Sequence, residues 1–191
     1  MKKELNVIIV GVGGQGTLLA SRLLGNALIS SGYDIKVSEV HGMSQRGGSV
    51  VTYVRAGKEV ASPIIERGGA DIMLAFEPLE AARWLSYLKK GGRIIVNTGK
   101  IDPMPVITGA SEYPEGIIEK LAGKNIDLTV TDALSLAKEA GSVKAVNVVL
   151  MGILATGTDI PLEVWEQSVN ETVPERFLEL NLKAFRMGYE Q

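Results

Sequence analysis

Leu5-Asn-Val-Ile-Ile-Val-Gly-Val-Gly-Gly-Gln-Gly16 joins an apolar run directly to a glycine cluster of the form Gly11-x-Gly13-x-x-Gly16, and a helical pattern follows. A strand, a bare loop and a helix in that order form a βα unit whose loop amides and helix N-terminus make a ready anion site. In this reading Gly11 permits the tight turn and Gly13 the close approach of a phosphate or another backbone. Gly16 lets the helix from Thr17 pack on the sheet. Many such turns serve packing alone, so the motif by itself names no ligand.

Beyond the glycines, Leu18, Leu19, Leu23, Leu24, Ala27 and Leu28 recur at helical spacing, and Gly32 stands where a C-capping glycine belongs. Ile35 to Val40 alternates as a second strand, and His41-Gly-Met-Ser-Gln-Arg-Gly-Gly48 is too polar and glycine-rich for a regular element. Ser49 to Arg55 is extended again, and a turn at 56–58 predicts an antiparallel hairpin returning through Glu59 to Ser62. Asp71 to Phe76 reads as a buried strand, and Pro78 opens a helix through Leu88 that Gly91-Gly92 stops. Arg93 to Asn97 is the next strand. The loop through Pro103 and Pro105 leads to a short strand, then come a short helix from Pro114 to Leu121 and a strand from Ile126 to Thr131. Helices follow over Ala133 to Ala140 and Val146 to Ala155, with two more opened near Pro161 and Pro174. Alternating strands and helices predict an α/β, Rossmann-like fold: a mostly parallel sheet, helices on both faces, and one antiparallel hairpin. Ligands of such sheets sit at the C-terminal strand ends, where the loops starting at Gly11, His41, Phe76 and Asn97 should gather.

At 191 residues the chain suits a single domain, 1–191, and is too short for two with separate cores. A formal charge of −2 and only 5% aromatic residues argue against nucleic acid and against an anionic membrane as partners. Met1-Lys2-Lys3 before an apolar run has the outline of a signal peptide, but Glu4, Asn6 and the glycines interrupt it, so cytoplasmic residence is expected. Val146 to Ala155 is about half the roughly 20 residues that span a bilayer, and it reads as a buried helix. There is no cysteine, so disulfides, cysteine nucleophiles and thiolate-ligated clusters within the chain are excluded.

Glu39 lies 23 positions beyond Gly16, where a dinucleotide-binding domain keeps the acid that holds a ribose. A free-standing NAD(P)-dependent dehydrogenase is therefore one reading, though no substrate domain with a hydride-transfer acid or base follows. His41 is the only histidine, which rules out a multi-histidine metal site. Ser44 lacks the second glycine of a nucleophile elbow. Arg46 beside Gly47 and Gly48 can grip a phosphate or carboxylate, on a ligand or on a neighbouring subunit. Glu77 and Glu80 read as helix-starting acids. Asn147, in an apolar helix, needs an internal partner or an interface. A non-enzymatic nucleotide-binding or assembly module is a third reading.

Taken together, Gly11-Val-Gly-Gly-Gln-Gly16, His41-Gly-Met-Ser-Gln-Arg-Gly-Gly-Ser-Val50, Ala70 to Arg83 and Asn147-Val-Val-Leu-Met-Gly152 resemble the gamma-type module of the 2-oxoacid:ferredoxin oxidoreductases over nearly the whole chain. The His-Gly-Met-Ser-Gln-Arg segment is similar to the branch acting on aryl pyruvates such as indolepyruvate. The resemblance implies a subunit of an enzyme that oxidatively decarboxylates an aryl 2-oxoacid to the aryl-acetyl-CoA, CO2 and reduced ferredoxin. It implies no cofactor on this chain alone. It further implies that thiamine diphosphate and [4Fe-4S] clusters belong to a large alpha subunit, with CoA as the co-substrate and ferredoxin as the electron acceptor. The binding residues it implies are Gly11, Gly13, Gly14, Gln15, Gly16, His41, Ser44, Arg46, Gly47 and Gly48. No catalytic residue and no metal ligand is assigned.

Overall fold

The computed structural model describes residues 4–41 and 47–191, His41 only as a backbone position. Its order is β1 (Leu5–Val12), α1 (Thr17–Ser30), β2 (Asp34–His41), β3 (Ser49–Gly57), β4 (Ala70–Ala75), α2 (Pro78–Trp84) and β5 (Leu88–Asn97). Then follow α3 (Met104–Ile107), α4 (Ile117–Ala122), β6 (Asp127–Thr131), α5 (Ala133–Ala140), α6 (Val146–Ala155), α7 (Leu162–Thr172) and α8 (Leu178–Tyr189). The six strands form one sheet in the order β2-β3-β1-β4-β5-β6. β1, β4, β5 and β6 pair in parallel, whereas β3 runs antiparallel to both β1 and β2.

β1 is buried on both faces because Val7 and Ile9 point into one core and Ile8 and Val10 into the other. That double burial explains its continuous apolar sequence. The first core packs under α1, α5, α6, α7 and α8, with Trp165 and Phe185 fully buried in it. The second lies under α2 and α4, with Tyr53, Trp84 and Tyr87 in mutual ring contact. Among the described residues no helix is long and apolar enough to cross a membrane.

Three local expectations are corrected. No strand forms at 59–62, and the antiparallel partners of β3 are β2 and β1. The reason is burial: Val51 and Tyr53 serve one core and Val54 and Ala56 the other, which makes β3 an interior strand. The 59–62 stretch is instead held by the Val60 amide donating to the Asp34 carboxylate at 2.7 Å. Secondly, α2 stops at Trp84, a 3-10 turn covers 85–87, and β5 begins at Leu88. Gly91 and Gly92 therefore sit inside a strand, where the β4/β5 register shifts between Ala70 and Ile72 and Gly91 takes φ +73°. Thirdly, Pro103 and Pro105 open the short helix α3 in place of a strand, since proline suits a first helical turn and cannot donate to a ladder.

The tightest packing is between α6 and α8. A Cβ on Gly188 would lie 2.0 Å from the Val149 carbonyl oxygen, and one on Gly152 would lie 2.1 Å from that of Phe185. Neither helix backbone can yield to a methyl group there. Gly188→Ala is expected to cost about 2 to 3 kcal/mol by overpacking and to lower the melting temperature by roughly 5 to 10 °C. Differential scanning calorimetry of the variant checks this.

Candidate functional site

The parallel strands and the reversed β3 bring the end of β1, the end of β2, the start of β3 and the ends of β4, β5 and β6 to one edge of the sheet. His41 pairs with Val50, Val50 with Gly11, and Val12 with Ser49. The glycine loop and both ends of the 41–48 segment are thus neighbours. The Gly13 amide donates to the Gly48 carbonyl at 2.9 Å.

Within the loop the glycines do different work from the motif reading. Gly11 is an extended β1 residue, not a turn residue. Its missing side chain admits Gln15, because a Cβ there would lie 2.8 Å from the Gln15 Oε1 and 3.0 Å from the Phe76 Cβ. The left-handed positions are Gly14 at φ +100° and Gly16 at φ +88°. Gly16 caps α1 and meets α6, where a Cβ would come 2.5 Å from the Asn147 Nδ2. Asn147, buried, finds its partners internally: its Nδ2 donates to the Gly16 carbonyl at 3.4 Å and its Oδ1 accepts from the Val148 amide at 2.9 Å.

Gln15 is a staple. Its Oε1 accepts from the Val12 amide at 2.7 Å and its Nε2 donates to the Phe76 carbonyl at 3.1 Å. The Asn97 Nδ2 donates to the same carbonyl at 3.1 Å, and the Asn97 Oδ1 accepts from the Ala133 amide at 3.2 Å. The ends of β1, β4 and β5 and the start of α5 are stitched together in this way. Two loop amides, those of Gly13 and Gln15, are consumed inside the protein, the second by the Val12 carbonyl at 3.2 Å. The anion-binding capacity of the loop therefore narrows to Gly14 and the opening turn of α1. Helix geometry leaves that turn without intrahelical acceptors. Space above Gly14 is open, with nothing within 4 Å of a built Cβ. Gly47, at φ +77°, is exposed and equally open. Ser44 and Arg46 lie outside the described residues, and so does the His41 side chain.

The same edge holds two buried carboxylates. Glu77 and Glu80 are 1% and 2% exposed. Glu77 caps α2, its Oε2 accepting from the Glu80 amide at 2.9 Å, and its Oε1 accepts from the Tyr113 hydroxyl. Glu80 accepts from the Ser49 hydroxyl and pairs with the Arg83 guanidinium at 3.0 Å. Burial, with a smaller contribution from the neighbouring Glu77 charge, pushes the Glu80 carboxyl above its ordinary value against the opposing pull of Ser49 and Arg83. The Tyr113 hydroxyl is likewise pushed well up, by burial first and then by Glu77, so it stays a donor at neutral pH. Helix capping by Glu77 follows from the sequence. The clamp on Ser49, the first residue of β3, does not: its only sequence signal is a pair of acids in the otherwise apolar 72–82 stretch.

Two alternatives lose ground on geometry. Glu39 is on the edge strand, separated from β1 by β3, and accepts from the Thr52 hydroxyl at 3.2 Å. A dinucleotide held over the glycine loop would need that acid on the strand next to β1. A cleft of about 560 Å³, lined by Asp71, Lys89, Arg93 and Asp127 among others, lies at the opposite, N-terminal strand ends. Four of its charges already face one another, Lys89 with Asp71 at 2.6 Å and Arg93 with Asp127 at 3.9 Å.

Residues 6–191 match the family model of pyruvate ferredoxin/flavodoxin oxidoreductases. The chain belongs to that family. It is 43% identical, over 97% of its own length and 95% of the relative's, to the indolepyruvate oxidoreductase subunit IorB of Thermococcus kodakarensis. The gamma subunit of a keto/oxoacid ferredoxin oxidoreductase from Geobacter sulfurreducens has the same fold, with a TM-score of 0.74 and 27% identity over 97% of this chain and 96% of that one. A 2-oxoglutarate:ferredoxin oxidoreductase from Magnetococcus marinus shares the fold at a TM-score of 0.74 and 20% identity. The match spans 100% of this chain but 31% of that one. The resemblance drawn from the glycine loop and the 41–50 segment is therefore correct, and the chain is a family member of the oxidoreductase class.

Glu80 yields a pH test. Its folded-state carboxyl is raised, so the folded protein holds more proton there than the unfolded chain does. The stability it contributes is full below the unfolded glutamate range and declines as pH rises through the folded value. Glu80→Gln removes this titration. Relative to the native protein, the variant should therefore be more favourably placed at pH 7.5 than at pH 4.5 in urea denaturation. An identical difference at both pH values would show that burial exerts no such cost.

Proposed function

We propose that this chain is the small subunit of a cytoplasmic, thiamine-diphosphate-dependent aryl-2-oxoacid ferredoxin oxidoreductase. The enzyme converts indolepyruvate or a close relative, CoA and oxidised ferredoxin into the aryl-acetyl-CoA, CO2 and reduced ferredoxin. Residues 1–191 act in it as one domain. What supports this reading above all is near-full-length kinship with an indolepyruvate oxidoreductase subunit, in a chain whose glycine loop is bonded to Gly48 at the C-terminal ends of the parallel strands.

The chemistry divides between two chains. With no cysteine here, thiolate-ligated [4Fe-4S] clusters fit only a partner, the large alpha subunit, which also carries the thiamine diphosphate. When bound there, those groups supply the decarboxylation and the one-electron steps. This chain contributes position and charge. Gly14, the opening amides of α1 and the Arg46 guanidinium offer donors to an anionic group, which we take to be a phosphate of CoA. Gln15 and Asn97 hold the loop in place without spending those donors. Gly11, Gly13 and Gly16 shape the loop, Gly13 through its bond to Gly48, and His41, Ser44, Gly47 and Gly48 complete the set of binding residues in this proposal.

The test is purification of the native complex, followed by CoA-dependent ferredoxin or dye reduction with aryl 2-oxoacids. The complex turns over and the isolated small chain does not. Arg46→Ala raises KM for CoA by about tenfold, equivalent to ~1.4 kcal/mol of lost binding, with kcat little changed. Unaltered CoA kinetics combined with weakened assembly would reassign Arg46 to a carboxylate of the partner. Turnover by the small chain alone would overturn the subunit reading.

A further inference from the structure

The two faces of the sheet are dressed unequally. Among the described residues one carries α1 and α5 to α8, the other α2 and α4, of 7 and 6 residues, with the short 85–87 turn. Between these two short helices runs a groove of about 310 Å³ with Leu79, Leu85, Ile117 and Leu121 on its floor and Lys120 and Lys124 on its rim. The acids of the same stretch, Glu115 and Glu119, do not line it. Lys120 is held in place by donating to the Glu115 carbonyl at 3.0 Å. Nearby along the chain, α3 leaves Met104 and Ile107, one turn apart, 61% and 65% exposed.

From this arrangement we infer that the α2/α4 groove is a docking site for an amphipathic helix of the larger partner subunit, with its apolar face in the groove and its Asp or Glu side chains against Lys120 and Lys124. The inference rests on the proposal that the chain works as a subunit. Charge selects the occupant: an aliphatic floor with a rim of one sign is complementary to an acidic amphipathic segment. Apart from those lysines, the lining offers no side-chain polar group to orient a small ligand, whereas a helix reads such a groove through apolar anchors at every turn.

The experiment uses the small chain and its co-purifying large subunit, mixed at 50 mM and 300 mM salt, with affinity read by titration. Ala82→Arg places a bulky cation on the groove from an exposed α2 position and leaves the core intact. Lys120→Glu/Lys124→Glu reverses the rim. Both should weaken association about tenfold or more, and the loss from the charge reversal should shrink at the higher salt. Lys183→Glu on α8, at the opposite face, should leave affinity unchanged. If the native chain associates and both groove variants bind within about twofold of it, the inference is overturned while the subunit reading stands. If the native chain does not associate at all, both fall. If Ala82→Arg instead alters the sedimentation of the small chain alone, the occupant is a second copy and the inference is wrong.

Discussion

One backbone carbonyl, that of Phe76 at the end of β4, accepts from two side-chain amides, Gln15 on the glycine loop and Asn97 at the end of β5. The candidate site depends on that convergence. Gln15 reaches the carbonyl only because Gly11 has no side chain in its way, and Asn97 passes the constraint on to the start of α5. The loop is therefore held in place by hydrogen bonds to Val12 at the end of β1, to Phe76 just beyond β4 and to Gly48 just before β3. Donors fixed before a ligand arrives lose little freedom when it binds, which is how a site built from glycines can still be selective.

Opposite the loop, the buried acids do comparable work by a costlier route. A carboxylate taken out of water is tolerated where hydrogen bonds, an opposing charge or both compensate for its lost hydration. Glu80 has both, in Ser49 and Arg83, and Glu77 has the Glu80 amide and the Tyr113 hydroxyl. The start of β3 is thereby tied to α2, and α2 to the 108–116 segment. Tertiary pairing, rather than local propensity, positions the wall that faces the glycine loop.

Much of this was legible in the sequence because it is local. The βα unit from Leu5 to Ser30, the helix over 133–140 and the one over 146–155 follow from periodicity and capping, and the gathering of loops at one edge follows from strand direction. The place of β3 was not legible. Its residues alternate between two cores, a pattern equally at home in a hairpin partner, and only the packing of the sheet decides that it inserts between β1 and β2. The clamp of Glu80 on Ser49 escaped for a similar reason. An acid that caps a helix and an acid that clamps a strand look alike until the burial of each is known. Gly14, to which the motif assigns no role, takes the left-handed turn expected of Gly11, whose missing side chain instead makes room for Gln15.

The reversed β3 carries a mechanical consequence. It is paired with β1 from Ser49 to Ala56 and with β2 from Val50 to Gly57, and its side chains alternate between two filled cores. Displacing it by a single residue would thrust Tyr53 and Val54 each into the wrong layer. The strands that flank residues 42–48 are thus anchored against sliding, and the sheet offers a fixed frame to whatever meets it at that end.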